Sequence, residues 1–158
     1  MTRLALYLQY GERKVLGSIR TEYHTSHLIS LRLSEDSKIA YLLDKQTISI
    51  RNLQTKTSFN IYHNVPLDFL ELSDKGHHII FRDKKRNLYI FDNIIKRKAH
   101  LLNTCGYAQW VPSSDVVVAQ SKTMMHVWYN VKETEQVSIR SLDWMTTLKS
   151  FILDTNKL

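Results

Sequence analysis

The stretch LDFLELSDKGHHIIFRDKKRNLYIFD, residues 67–92, decides the fold of this chain. Apolar and polar residues alternate in LDFLEL and again in LYIFD, which is the period-two pattern of strands with one buried face. Between them, HHIIFR is a short run rich in β-branched and aromatic residues. The turn-forming segments SDKG and DKKR separate the three runs. The stretch therefore predicts three consecutive strands joined by two tight turns.

The same anatomy recurs on both sides of this stretch. First strands are predicted to start at residues 28, 67 and 107, and third strands at residues 48, 88 and 126. Weaker fourth strands are predicted near residues 57–62, 97–102 and 136–139. A four-stranded unit that repeats about every 40 residues is typical of a WD40-like propeller blade.

The sequence thus predicts an all-β fold, a partial WD40-like β-propeller of about three and a half four-stranded blades. Complete blades are predicted at residues 28–62, 67–102 and 107–139, after a half-blade at residues 3–20. A β-sandwich built from hairpins is the alternative fold. Because two sheet faces would lack a covering neighbour, we expect the chain to be a fragment of a longer protein that aggregates when expressed alone.

The tail, residues 140–158, breaks the repeat. Leu142, Met145, Leu148 and Ile152 recur at helical spacing in this segment, so a short irregular or helical tail is predicted. The alternative is that the tail pairs with the half-blade and closes a small four-bladed ring.

Each third strand ends in a dipeptide at the position of the Trp-Asp pair of such repeats. These dipeptides are Arg51-Asn52, Phe91-Asp92 and Tyr129-Asn130. We expect the first residue of each to pack between blades and the second to accept hydrogen bonds at the strand end. Further core positions follow from the strand alternation, and the predicted buried set is Ile50, Ile80, Ile90, Trp110, Val117, Trp128 and Tyr129.

The residues that enzymes need do not form a recognisable motif. The chain has one cysteine and four glycines, with no nucleophile elbow, phosphate loop or dinucleotide fingerprint. Five of the seven histidines are scattered, and the adjacent pair His77 and His78 would point to opposite faces of a strand, so they cannot bind one metal ion. Cys105 is predicted to be a buried, inert thiol. No apolar run is long enough for a transmembrane helix. The sequence therefore predicts a non-catalytic protein with no metal site, no cofactor and no small-molecule substrate.

The net charge of +7 favours contact with acidic surfaces. Two basic clusters stand out, namely Lys84, Lys85 and Arg86 between the second and third strands of one repeat, and Lys96, Arg97 and Lys98 after its third strand. They are candidate contacts for an anionic partner, with solvated hairpin charges as the alternative interpretation. No aromatic series for stacking bases accompanies either cluster, so nucleic acid is not the expected partner.

Longer strings in the sequence carry a family resemblance. LGSIRTEY, HLISLRL and KIAYLLDKQTISI are followed by FLELSDKGHHIIFRDKKRNLYIFD, GYAQWVPSSDVVVAQ and VWYNV, in that order, within residues 3–137. Together they resemble the second propeller of the largest subunits of the intraflagellar transport B complex. That family joins N-terminal propellers to a long helical solenoid.

The resemblance implies a scaffold that helps to assemble cilia and carry cargo along them. The implied partners are other intraflagellar transport subunits and cargo adaptors, with membrane contact at some stages. The implied location is the cilium, from its base along the axoneme, and the cytoplasm. The alternative function is a basic propeller module that binds RNA or anionic lipid in the cytoplasm.

Overall fold

The strands of this protein follow one another as simple antiparallel meanders. A computed structural model describes residues 2–8, 14–21, 28–32, 37–129, 131 and 139–143, and no helix occurs among them. In chain order the strands are β1 (Thr2–Leu8), β2 (Lys14–Thr21), β3 (Ile29–Arg32), β4 (Lys38–Asp44), β5 (Thr47–Asn52), β6 (Ser58–Tyr62), β7 (Leu67–Leu72), β8 (His78–Asp83), β9 (Leu88–Asp92), β10 (Arg97–Leu102), β11 (Cys105–Trp110), β12 (Val117–Ser121), β13 (Met124–Trp128) and β14 (Ile139–Asp143).

Each predicted repeat forms its own sheet. Strands β3 to β6 make the first four-stranded sheet, β7 to β10 the second and β11 to β14 the third, while β1 pairs with β2 alone. Every strand pair is antiparallel, and no strand is exchanged between repeats among the described residues. The all-β, partial propeller-like fold is therefore confirmed over the alternative of a β-sandwich built from hairpins. We refer to the three sheets as blades one, two and three.

Each blade has a buried cross-strand pair on its two central strands. A second-strand residue faces a third-strand residue at the centre of each blade. These pairs are Ala40 with Ile50, Ile80 with Ile90, and Val117 with Trp128. All six side chains are buried, so the predicted core positions on these strands are confirmed.

Blade two is covered on both faces. Because neighbouring strand residues point to opposite faces, Ile79 and Ile80 belong to different cores. Ile79 packs in a cluster with Leu42 and other residues of blade one. Ile80 packs in a second cluster with Trp110 and Trp128 of blade three. A middle sheet covered on both faces by separate sheets fits consecutive propeller-like blades, whereas a two-layer sandwich has only one interface between its sheets.

The dipeptides at the third-strand ends behave as expected in two blades. Asn52 Oδ1 accepts hydrogen bonds from the backbone N–H groups of Gln54 and Thr55, both at 2.9 Å. Asp92 Oδ1 accepts from the N–H groups of Ile94 and Ile95 at 2.7 and 3.0 Å. Asn130 lies outside the described residues.

The first members of the dipeptides differ. Phe91 packs against Phe59 of blade one, with ring centroids 6.3 Å apart, as an inter-blade residue should. Arg51 is half-buried. Tyr129 is 51% exposed, so its predicted place in the core is wrong. The reason is that Trp128, the last residue of β13, packs in the core shared with blade two, and the next side chain along an extended chain points away from that face.

The last strand also departs from the prediction. The fourth strand of blade three was expected near residues 136–139, but β14 runs from Ile139 to Asp143 and pairs Leu142 with Met125. Assigning Leu142 to a helical face is therefore wrong. The open edge of β13 offers backbone hydrogen bonds that a short helix would forgo, so tertiary pairing outweighs the local spacing. The other residues of that helical pattern, from Met145 onward, lie outside the described residues.

Candidate interaction surfaces

The first basic cluster occupies the turn between β8 and β9. Lys84, Lys85 and Arg86 are all exposed. The Lys84 backbone N–H donates to the Pro66 carbonyl at 2.8 Å, and Arg86 adopts a left-handed φ of 66°. The turn is thus held against the loop that enters blade two, and it presents its three cations to solvent.

The second basic cluster lies at the turn between β9 and β10. Lys96, Arg97 and Lys98 are exposed as well. The Lys96 ammonium lies 3.1 Å from the centroid of the Phe59 ring in blade one, and this contact bridges two blades. Burial, with repulsion from Lys38, lowers the pKa of Lys96 against the opposing attraction of Asp92.

The structure does not bring the two clusters together. In a meander, successive turns alternate between the two ends of the sheet, and β9 separates these two turns. Five strand residues span about 15 Å. One anionic ligand of modest size therefore cannot contact both clusters, and each must be considered as a separate surface.

An apolar pair beside the second cluster was missed by the sequence reasoning. Ile94 and Ile95 are 65% and 59% exposed at the tip of the β9–β10 turn. The signal was present in the string DNIIKRK: once a strand ends at Asp92, two isoleucines fall where turn residues are normally polar. The cations that follow them are the more conspicuous feature of the string.

A cleft of about 290 Å³ lies between the first strands of the three blades, β3, β7 and β11. Its charged groups neutralise one another. Arg32 Nη2 donates to Glu71 Oε1 at 3.1 Å, and Arg32 Nε lies 3.5 Å from Asp74 Oδ1. The cleft therefore offers polar and apolar walls, with its charges already engaged in ion pairs.

Glu71 links all three blades through this cleft. Its Oε2 accepts from the Trp110 backbone N–H at 3.3 Å, and its backbone carbonyl accepts from the Trp110 indole at 3.1 Å. Burial raises the pKa of Glu71, although the Trp110 N–H and Arg32 act in the opposite direction. A second link is made by Arg82, which donates to Asp68 at 2.8 Å and to the Gly106 carbonyl at 2.6 Å. These groups hold blades together.

Buried His–Asp contacts have a structural role. His63 Nε2 lies 3.4 Å from Asp83 Oδ2, with side chains 7% and 1% exposed. The rings of Phe81 and Tyr89 enclose His63 at centroid distances of 5.6 and 4.6 Å. Burial alone would raise the pKa of Asp83, but hydrogen bonds from Asn87 and His63 outweigh it and lower that pKa. The pair is too enclosed to act on a substrate.

The turn aspartates act as hydrogen-bond acceptors. Local hydrogen bonds, from backbone N–H groups two to four residues onward, are accepted by Asp44, Asp83 and Asp92. Asp74 accepts a hydrogen bond from the Ser113 backbone N–H of the next blade. Asp36 lies outside the described residues. Their carboxylates are therefore engaged in holding the turns.

The described residues contain no group of three or more His, Cys, Asp and Glu side chains placed to hold a metal ion. Cys105 is fully buried as predicted, and burial raises the pKa of its thiol against the opposing effect of Arg82. A protonated, enclosed thiol is a poor nucleophile. The part of the chain that the structure describes also has no helix with the length and apolarity needed to cross a bilayer.

Comparison with known proteins finds relatives named for intraflagellar transport, although no family model matches the chain. It is 44% identical over 142 residues to the intraflagellar transport protein 172 homolog of Drosophila melanogaster. It is 42% identical over 142 residues to intraflagellar transport protein 172 of Chlamydomonas reinhardtii. It is 40% identical over 159 residues to the homolog of Danio rerio.

These matches cover 85%, 84% and 95% of this chain, in the same order. The chain spans 8% of the length of the first two relatives and 9% of the third. The third match takes in more of the chain than residues 3–137, where the resemblance was recognised in the sequence, and so reaches into the tail. The intraflagellar transport resemblance itself is confirmed.

Proposed function

We propose that this chain, whose homologues are the intraflagellar transport 172 proteins, acts as a non-catalytic scaffold segment in transport along cilia. The observation that carries the proposal is the continuous similarity over most of the chain to relatives named for intraflagellar transport. The chain corresponds to a small part of each relative, so it would supply binding surfaces within a larger assembly.

The geometry supports a role in binding other proteins more than a role in catalysis. Two side-chain contacts connect blades, namely Arg32 with Glu71 and Arg82 with the Gly106 carbonyl, so these charged groups are already engaged within the fold. Turns and strand edges are the surfaces left for partners. We propose no catalysis, no cofactor and no small-molecule substrate.

The proposed partners are other intraflagellar transport subunits and cargo adaptors, and the proposed location is the cilium, its base and the cytoplasm. Contact with membranes is an additional prediction. The alternative of an RNA- or lipid-binding module gains no support from the relatives, since those described above are all named as transport proteins. Separation of the two basic clusters also weakens it.

A chimera tests the proposal. The matching segment of the Chlamydomonas reinhardtii relative is replaced by this chain and introduced into cells that lack the native protein. We expect cilia to assemble, because the chain is 42% identical to the segment that it replaces. A chimera carrying Ile90→Asp, which places a charge in the core, is the control and should fail.

Stable chimeric protein without cilia would overturn the scaffold proposal. So would salt-sensitive RNA binding by the chain that disappears when Lys84, Lys85 and Arg86 are replaced by alanine, since that pattern belongs to the alternative function.

A further inference from the structure

The exposed isoleucine pair has no explanation in the fold. Ile94 and Ile95 lie in a turn whose backbone is fixed by Asp92 Oδ1 and by Lys96, which has φ 57°. β-branched side chains are uncommon in turns, and these two shield little of their surface from water.

Blade one contains the same turn with polar side chains. There Asn52 is the acceptor, Gln54 and Thr55 occupy the positions of Ile94 and Ile95, and Lys56 has φ 60°. The matching positions are separated by one repeat, and both turns close in the same way. The turn therefore forms without isoleucine, and the isoleucines serve something other than turn formation.

Cations surround the pair. Lys96, Arg97 and Lys98 follow it directly, and Lys75 is exposed in the adjoining β7–β8 turn. The two turns are tied together, because the Asn93 backbone N–H donates to the His77 carbonyl at 2.7 Å and its side-chain amide to the Gly76 carbonyl at 2.9 Å. The neighbouring carboxylates, Asp74 and Asp92, already accept hydrogen bonds within the fold.

We propose that the isoleucine tip, defined as Ile94 and Ile95 with Lys96, Arg97 and Lys98, docks into an apolar pocket rimmed by carboxylates on a protein partner. Buried apolar anchors provide affinity, and the surrounding charges provide orientation and selectivity. This inference rests on the proposed scaffold function and assigns it a surface.

A protein fits the tip better than a lipid bilayer does. Two other turns that the structure describes at the same end of the blades are polar, with Gln54 and Thr55 in blade one and Ser113 and Ser114 in blade three. Insertion into a bilayer would rely on a single apolar turn flanked by polar turns. A pocket on a protein needs only that one turn to enter it. Lipid binding is therefore an outcome that the test must detect separately.

The test selects phage-displayed random peptides against the full chain and measures the affinity of the enriched peptides by fluorescence anisotropy. We expect enrichment of peptides that combine aliphatic or aromatic residues with Asp and Glu. The double variant Ile94→Gln/Ile95→Thr copies the turn of blade one, so it should fold normally and bind these peptides at least about tenfold more weakly. Added salt should weaken binding further.

The matched control is Gln54→Ala/Thr55→Ala, which alters the corresponding turn of blade one and should leave peptide affinity unchanged. Peptides without acidic residues, or peptides that bind the Ile94→Gln/Ile95→Thr chain equally well, would overturn the proposal. So would binding to phosphatidylserine-containing vesicles that the same double variant abolishes, because the tip would then be a lipid contact.

The chimera experiment separates this inference from the function on which it rests. Cilia assembled by the unmodified chimera, together with tip-independent peptide binding, would overturn the isoleucine tip alone. Failure of the unmodified chimera would overturn the scaffold function whatever the peptides show.

Discussion

His78 on β8 and Asp92 on β9 are direct cross-strand partners, and His78 Nε2 lies 3.3 Å from Asp92 Oδ2. Both residues are buried. Asp92 also holds the turn that carries the isoleucine tip. The contact therefore places a titratable pair between the core of blade two and its β9–β10 turn.

The His78 contact predicts that the free energy of unfolding begins to fall below pH 6.5, at a higher pH than the carboxylates titrate. Burial lowers the pKa of His78 below its ordinary 6.5, repulsion from His77 adds to this, and attraction to Asp92 and Asp115 only partly offsets it. Between the folded-state pKa and pH 6.5, His78 is therefore protonated in the unfolded chain and neutral in the folded chain. The resulting stability is complete above pH 6.5 and is lost as the pH falls through the folded-state pKa.

Urea unfolding across this pH range checks the prediction. His78→Gln should reduce the loss of unfolding free energy on acidification, and His126, whose pKa burial also lowers, should account for part of what persists. Ile79→Val is the control, since it should weaken the fold by about 1 kcal/mol without changing the pH slope. An unchanged slope in His78→Gln would contradict the assignment.

The core and the tip offer isoleucines in opposite environments. Ile90 is 1% exposed between blades two and three, so Ile90→Ala should cost about 2–5 kcal/mol of unfolding free energy. Ile94 is 65% exposed, and Ile94→Ala should change stability by less than about 0.5 kcal/mol. Denaturant midpoints measured in parallel would test both values. Similar costs for the two variants would show that the packing around Ile90 is different from that described.

Much of this architecture was predictable because the sequence repeats one four-stranded unit three times. Period-two alternation identifies the strands and the buried members of each, and the repeat distance fixes their grouping into blades. Ile50, Ile80 and Ile90 were predicted correctly on this basis. Repetition averages out the weak signal of any single strand, which is why β6 and β10 were located despite their polar composition.

Strand ends and turn tips were less predictable, because they depend on hydrogen bonds that the alternation of apolar and polar residues does not reveal. Whether Tyr129 continues a strand is decided by hydrogen bonds to its neighbours, and β13 ends one residue earlier. Likewise, β13 begins at Met124 because a two-residue turn with Lys122 at φ 53° follows β12 directly. Ile94 and Ile95 have the side chains of strand residues, and only the turn formed by Asp92 places them at a tip.

The backbone conformation at Gly76 favours glycine in its turn. Its φ of 65° lies in the left-handed region, and an added Cβ would lie 2.9 Å from Cδ of Lys38. The flexible Lys38 side chain can move aside, so the backbone conformation sets the cost, and Gly76→Ala should destabilise the chain by about 1–2 kcal/mol. The control is Gly106→Ala, where the nearest atom is the Gln120 carbonyl oxygen at an ordinary 3.7 Å. Thermal unfolding should separate the two variants, and equal behaviour would contradict the explanation.

The acceptor at the end of β9 should be replaceable by asparagine but not by alanine. Asp92→Ala removes the acceptor of the Ile94 and Ile95 N–H groups, and we expect a loss of about 1–2 kcal/mol. Asp92→Asn keeps an oxygen in place, as Asn52 does in blade one, and should cost less than about 1 kcal/mol. Urea unfolding at neutral pH measures both changes.

Acid should distinguish the two acceptors further. Burial alone would raise the pKa of Asp92, but the Ile95 and Ile94 N–H groups and His78 outweigh it and lower that pKa. The carboxylate therefore contributes stability above its ordinary value of 3.8, and this contribution is lost as the pH falls through the folded-state pKa. Asp92→Asn should lack this part of the acid loss, while the part due to Asp83 persists because its pKa is lowered in the same sense. If the Asp92→Asn variant loses stability in acid as steeply as the native chain, hydrogen bonding at the turn does not favour the ionised carboxylate.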